Sequence, residues 1–209
     1  MADEKHVNHF AMQKACEKPG CPICTIVDER IARYIDNLLF EHISDRKFRA
    51  DYRASGGFCT EHAHALLNFR DGLAVDILGM GTLEDYIADF KKHKIRKYKG
   101  TCPACAQKAQ IEADFISYLT DKHEKNMSAE LEDFFTKSDG LCVKHYAKLI
   151  RQVKRIPKWL EKFQLDKFNS LLERAQRFYQ FSAWGRQDDF AKLSDADKLV
   201  WKELARTLL

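Results

Sequence analysis

Apolar residues recur every three or four positions through most of this chain, the spacing that lines one face of a helix. Val27, Ile31, Tyr34, Ile35, Leu38 and Leu39 keep that period up to His42, and Ile111, Phe115, Ile116 and Leu119 keep it up to His123. Each run predicts a long helix. Shorter helices are expected next, over 45–54 and 128–137, then helices over 59–70 and 142–155 and longer ones over 73–98 and 158–181. Trp184 and Gly185 mark a break. Ser194, a residue type that caps helix N-termini, opens a last helix with Trp201, Leu204 and Leu208 on one face. No segment shows the strict polar–apolar alternation of a half-buried strand. The pattern predicts an all-α fold.

Composition sharpens this only a little. Nine glycines and four prolines in 209 residues leave little turn chemistry, which favours helices over a β architecture. No run approaches the ~18 apolar residues of a membrane span. The start, Met-Ala-Asp-Glu-Lys-His, lacks the basic-then-apolar order of a secretory signal, so the expected location is the cytoplasm.

Seven cysteines in a reducing compartment point to metal or redox chemistry and not to a disulfide framework. Six of them fall into two copies of one pattern. Cys21-Pro-Ile-Cys24 is followed by Gly57-Phe-Cys59-Thr-Glu-His62 and Leu66; Cys102-Pro-Ala-Cys105 is followed by Gly140-Leu-Cys142-Val-Lys-His145 and Leu149. The CPxC halves, like His42 and His123, are offset by 81 residues, and the GxCxxHxxxL halves by 83. The expected organisation is an internally duplicated helical unit, with repeats over 21–100 and 102–183 and a C-terminal helical extension over 184–209 packed on them.

The chemistry follows from the spacing. A CxxC turn brings two thiolates onto one ion at about 2.3 Å. Proline after the first cysteine suits a helix start. In CxxH at a helix start, residues i and i+3 share a face, so sulfur and imidazole meet one ion. Gly57 and Gly140 permit the sharp entry into that helix. Taking the halves of each repeat together, the expected Cys₃His sites are Cys21, Cys24, Cys59 and His62, and Cys102, Cys105, Cys142 and His145. A thioredoxin-like redox pair would need βαβ alternation, which the pattern lacks, and buried free cysteines have no reason to repeat beside a histidine. Cys3His is a closed structural set for zinc, two ions per chain; an iron–sulfur cluster is the alternative.

Other residues carry weaker signals. His42 and His123 each stand 18 residues after a CPxC cysteine, about 27 Å along a straight helix, too far to complete their own repeat's site. They could face each other in an inter-repeat pocket beside Glu41 and Glu124, or simply end the apolar stripe with a hydrogen bond. Glu61-x-x-His64 is half of a di-iron carboxylate motif without its partner. Gly79-Met80-Gly81 lacks the third glycine of a dinucleotide loop and reads as close helix packing or a bend. Cys16 is the odd cysteine.

Charge is unevenly spread. Ten Lys/Arg and three acids lie between Lys144 and Arg177, and six Lys/Arg with no acid lie between Lys91 and Lys99. Solvated helix faces account for both. A nucleic-acid surface over Lys154, Arg155, Lys158, Lys162 and Lys167, with Trp159 and Phe163 stacking bases, is the competing reading.

The duplicated motifs resemble an uncharacterised prokaryotic family, mainly bacterial and archaeal, whose members carry paired CPxC and GxCxxHxxxL elements. The resemblance covers Cys21 to His145, and Gln187-Asp-Asp-Phe190 with Trp201-Lys-Glu-Leu-Ala205 is similar to that family's closing helix. It implies the eight ligands and no activity. No nucleophile–base set or phosphate-binding loop appears. The leading expectation is a non-enzymatic, zinc-held helical scaffold for an unknown protein partner. The alternatives are iron–sulfur electron transfer or thiol redox sensing, with Cys16 as a resolving thiol, and nucleic-acid binding.

Overall fold

The computed structural model describes residues 2–69, 71–95, 100–183 and 185–208, with backbone alone for 2–6. Arg96, Lys97 and Lys99 of the second basic cluster, and Trp184, lie outside the described residues. The fold is all-α, with no strand among the described residues. No helix of the described residues is long and apolar enough to cross a membrane.

The helices are α1 (Ala2–Cys16), α2 (Pro22–Asn37, running on as a π turn over Leu38–His42), α3 (Arg46–Ser55), α4 (Thr60–Ala65, then a 3-10 turn over Leu66–Asn68), α5 (Gly72–Phe90) and α6 (Pro103–Thr120). They continue with α7 (Lys125–Thr136), α8 (Val143–Gln152), α9 (Lys158–Phe181), α10 (Gln187–Ala191), α11 (Asp195–Lys198) and α12 (Val200–Leu208). Local chemistry sets several of these ends. Asp45, Asp71 and Ser194 each accept a backbone N–H of the first turn of α3, α5 and α11. Gly56, left-handed at φ 85°, closes α3.

The chain packs as two compact units, Met1–Ile26 with Glu112–Leu209, and Val27–Ile111. Their boundaries fall inside α2 and α6, so packing units and sequence repeats divide this chain differently. In the first unit Phe115, Phe135, Leu141, Leu149 and Leu160 are fully buried. Trp159 and Phe163, the proposed stacking platform, instead set their edges against Phe135 at 5.9 and 5.8 Å between centroids. Arg174 of α9 holds α11 through Asp197 and α12 through Glu203. In the second unit Ile35, Leu38 and Leu39 are buried with Tyr52, Leu66 and Leu78. Arg53 of α3 grips Asp85 of α5 with two hydrogen bonds of 2.8 Å.

Several expectations change. The helix expected over 73–98 stops at Phe90, where the backbone turns through His93 at φ 53°. The last helix buries Val200, whereas Trp201 and Leu208 of the expected face are more than half exposed. α1 has no counterpart in the sequence reading. Gly79 has nothing near its missing side chain, so no close packing occurs there; Gly81 does make room, for Arg53.

Candidate metal centres

Each of the four cysteine motifs does the same thing in the backbone. Pro22 and Pro103 are the first residues of α2 and α6, and Cys59 and Cys142 are the extended residues just before α4 and α8. The carbonyls of Cys21, Cys59, Cys102 and Cys142 accept the first helical bond, from Thr25, Ala63, Ala106 and Tyr146. Every motif therefore places one ligand at a helix cap and the next three residues on, in the first turn. The positive ends of the helices favour the thiolates an ion needs. Gly57 and Gly140 share φ +75°, which side chains rarely adopt, and each sits against a polar group from elsewhere in the fold.

The pairing of the motifs is not the one expected. Cys21 and Cys24 meet Cys142 and His145, and Cys102 and Cys105 meet Cys59 and His62. The sets Cys21/Cys24/Cys59/His62 and Cys102/Cys105/Cys142/His145 are therefore replaced by two exchanged sets, each taking its CPxC from one repeat and its CxxH from the other. Each set lies within a single packing unit. Two clusters of the Cys₃His type could thus hold metal ions.

Within the first centre, His145 Nδ1 stands 3.4, 3.3 and 3.2 Å from the sulfurs of Cys21, Cys24 and Cys142, and Cys24 and Cys142 are 3.7 Å apart. In the second, His62 Nδ1 stands 3.2, 3.6 and 3.4 Å from Cys59, Cys102 and Cys105, and Cys59 and Cys105 are 3.6 Å apart. A tetrahedral ion held at about 2.3 Å from sulfur and 2.0 Å from nitrogen has edges of about 3.8 Å between sulfurs and about 3.5 Å from sulfur to nitrogen. The observed separations fit that tetrahedron, and in both centres the nitrogen that faces the sulfurs is Nδ1.

Crowding also shapes the charges. Hydrogen bonds from Cys21 and Cys24 hold the Cys142 thiol far below its usual range. Burial lowers His145, but the Cys142 and Cys24 sulfurs outweigh it and push the imidazole up to about 10. In the second centre burial raises Cys105 to about 12. Burial also works on Cys59, but hydrogen bonds from the His62 backbone and from Cys105 bring that thiol below its ordinary value. The crowding thus favours the thiolate at Cys142 in one centre and at Cys59 in the other, the form a metal ligand takes.

Some supporting residues left no motif. Glu112, 2% exposed, meets His145 Nε2 at 3.1 Å and also pairs with Lys148 and, at 3.7 Å, with Lys144. This carboxylate fixes the ring so that Nδ1 faces the sulfurs. Its ordinary cost of burial is outweighed by Lys148 and His145, which hold the carboxyl below its usual value. Gln164, fully buried, clamps the loop before Cys142: its Oε1 accepts from Leu141 N at 2.7 Å and its Nε2 donates to Leu141 O at 2.9 Å. In the other unit the Tyr52 hydroxyl accepts from Phe58 N at 3.2 Å, the matching position before Cys59. Glu112→Gln keeps the shape and removes the charge. Metal affinity at the first centre is expected to fall about 10- to 100-fold, with the second unchanged, by competition against a chromophoric chelator.

The other candidates stand apart from the centres. His42 is exposed and lies against Phe48, while His123 donates from Nε2 to the Tyr118 carbonyl at 2.7 Å in the other unit. Lys154, Arg155, Lys158 and Lys162 are exposed, and Lys167 lies over the Phe163 ring. Cys16 is buried, and burial raises its thiol to about 12.

Residues 1–94 match the model of DUF6062, a family of unknown function. That agrees with the resemblance to an uncharacterised family, and the matched span carries Cys21, Cys24, Cys59 and His62, half of each centre. No curated protein matches the chain, and no solved structure does.

Proposed function

We propose that this protein is a helical scaffold stapled by two structural zinc ions and that it acts by binding a protein partner. The observation that carries the zinc reading is that four ligand atoms gather within 4.8 Å of one another in each cluster. An iron–sulfur cluster would spread its ligands over separate irons with sulfide between them, so this compactness supports a single ion. Four protein ligands leave no open position for water or substrate, which favours a structural role over catalysis. Thiolates of this kind need a reducing compartment, in keeping with the cytoplasm.

The partner reading draws on α5. Leu73, Met80, Leu83, Ile87 and Phe90 are exposed along it at steps of seven, three and four, the seam that packs against another helix. A partner that still binds after Leu83→Asp and Ile87→Asp would use a different surface. Redox sensing loses its resolving thiol, because a buried Cys16 held protonated is a poor nucleophile. Trp159 and Phe163, the rings that nucleic-acid binding would use, set their edges against Phe135, which favours a packing role for them.

Elemental analysis with a visible spectrum, on anaerobically purified protein, tests the zinc reading. Two zinc per chain without colour is the expected result. Iron with sulfide and a broad visible band would replace it with electron transfer.

A further inference from the structure

The two faces of α5 differ in what they touch. The inner one is committed within its own unit: Ala74 and Leu78 are buried, and Asp85 is held by Arg53. The outer one carries Leu73, Asp76, Met80, Leu83, Ile87 and Phe90 at alternating steps of three and four, a seven-residue repeat, and all six are exposed. Gly79 lies beside this seam with nothing near its missing side chain, so a second backbone can approach there. Charge changes sign along the seam. Asp71 and Asp76 are exposed at its start. Lys91, still helical at φ −59° and ψ −23°, extends the same face one turn past Ile87, with Lys92 and Lys94 exposed just beyond. Glu84, at the edge, already pairs with Arg53 of its own chain.

We propose that this seam binds a second copy of the chain, α5 against α5 and antiparallel. The seam is self-complementary: acid, apolar, base in one direction meets base, apolar, acid in the other. A two-fold axis between Met80 and Leu83 places Leu73 against Phe90 and Met80 against Leu83. It also brings Lys91 of each copy over the first turn of the other, between Asp71 and Asp76. The positive start of each helix then lies beside the negative end of its neighbour. A parallel pairing instead sets Asp76 against Asp76 inside the seam, where like charges repel. An unrelated helix would have to reproduce this order of charges; a second copy carries it already. The seam is about 26 Å long. It buries on the order of 1,000 Å² in all, the lower end for a specific dimer, so dissociation in the micromolar range is expected. The dimer presupposes the reading of α5 as the partner surface and gives that partner its chemistry.

Sedimentation velocity of the metal-loaded full chain, across roughly 1–200 µM and at low and physiological salt, tests this. A concentration-dependent monomer–dimer equilibrium is expected. Leu83→Asp is expected to weaken it at least about a hundredfold, since each dimer would then bury two carboxylates. Asp76→Lys alone and Lys91→Asp alone are each expected to weaken it about tenfold at low salt, and the two together largely to restore it. A mere net-charge effect would move those two single variants in opposite directions. All these positions are exposed, and zinc content and far-ultraviolet dichroism recorded alongside establish that each variant is folded. Monomer at every concentration, a dimer indifferent to Leu83→Asp, or a double variant no tighter than the single ones would overturn the proposal. If the chain is monomeric and another protein binds it in a manner abolished by Leu83→Asp, the reading of α5 survives without this occupant. If neither a copy nor any other protein responds to Leu83→Asp, that reading falls as well.

Discussion

Serine at Cys24 and Cys142 together is expected to leave one tightly bound metal ion per chain, whereas serine at Cys24 and Cys59 together is expected to leave none. The first pair belongs to a single cluster, so both changes fall on the same ion and the other centre keeps all four ligands. The second pair takes one sulfur from each cluster and leaves each with three ligands. Structural zinc in small domains is worth roughly 10–16 kcal/mol, and losing one thiolate of four removes enough of that for a competing chelator to win. Metal counted after dialysis against a moderate chelator gives the answer. Pairing of motifs within each repeat demands the opposite outcome, one ion for Cys24 with Cys59 and none for Cys24 with Cys142.

The eight ligands were legible because cysteine is scarce and the two motifs recur at fixed offsets. Their pairing was not. When two repeats carry the same pair of motifs, exchanging partners leaves every local spacing untouched, so no motif says which combination forms. Helix lengths do not settle it either. Leaving Cys24, the chain runs along α2 and its π turn for 18 residues to His42, about 27 Å. The returning helix α3 has 10 residues and recovers about 15 Å. The residues outside helices, 43–45 and 56–59, are long enough to span the rest.

Other gaps have similarly specific causes. α1 buries His9, Met12, Ala15 and Cys16, but a histidine on the inner face breaks the apolar stripe that would announce a helix. That histidine is held by the Tyr118 hydroxyl at 2.7 Å, a contact 109 residues away. Glu112 reads as a solvated charge in sequence because the lysines and histidine that justify its burial lie more than 30 residues on. Gln164 is the exception that periodicity could have caught. It stands four residues after Leu160 and seven before Leu171 on the buried face of α9, a polar residue where the pattern calls for an apolar one.

Graded chelation is expected to release the two ions in order, the second centre first. Cys21, Cys142 and His145 are buried in the first centre, and Glu112 holds the outer nitrogen of its histidine. In the second centre His62 is buried but Cys59 and Cys105 are only half-buried, and Ile31 stands at the position matching Glu112. A carboxylate hydrogen-bonded to the outer nitrogen of a ligand histidine is worth about 10- to 100-fold in affinity, so two well-separated phases should appear. The structural consequence should be unequal too. Of the largest fully buried side chains only Ile35 and Leu38 belong to the unit 27–111; the rest, including Phe115, Phe135 and Leu160, belong to the other. A unit with so small a core depends on its ion for folding, because the metal offsets the entropy of closing the 40-residue span from His62 to Cys102. Amide exchange followed by mass spectrometry should therefore show protection lost within 27–111 during the first phase and retained in 112–209 until the second. Release of both ions in one phase, or loss beginning in 112–209, would contradict this order. The Cys24→Ser, Cys142→Ser chain supplies the internal check: its remaining ion should leave with the kinetics of the early phase.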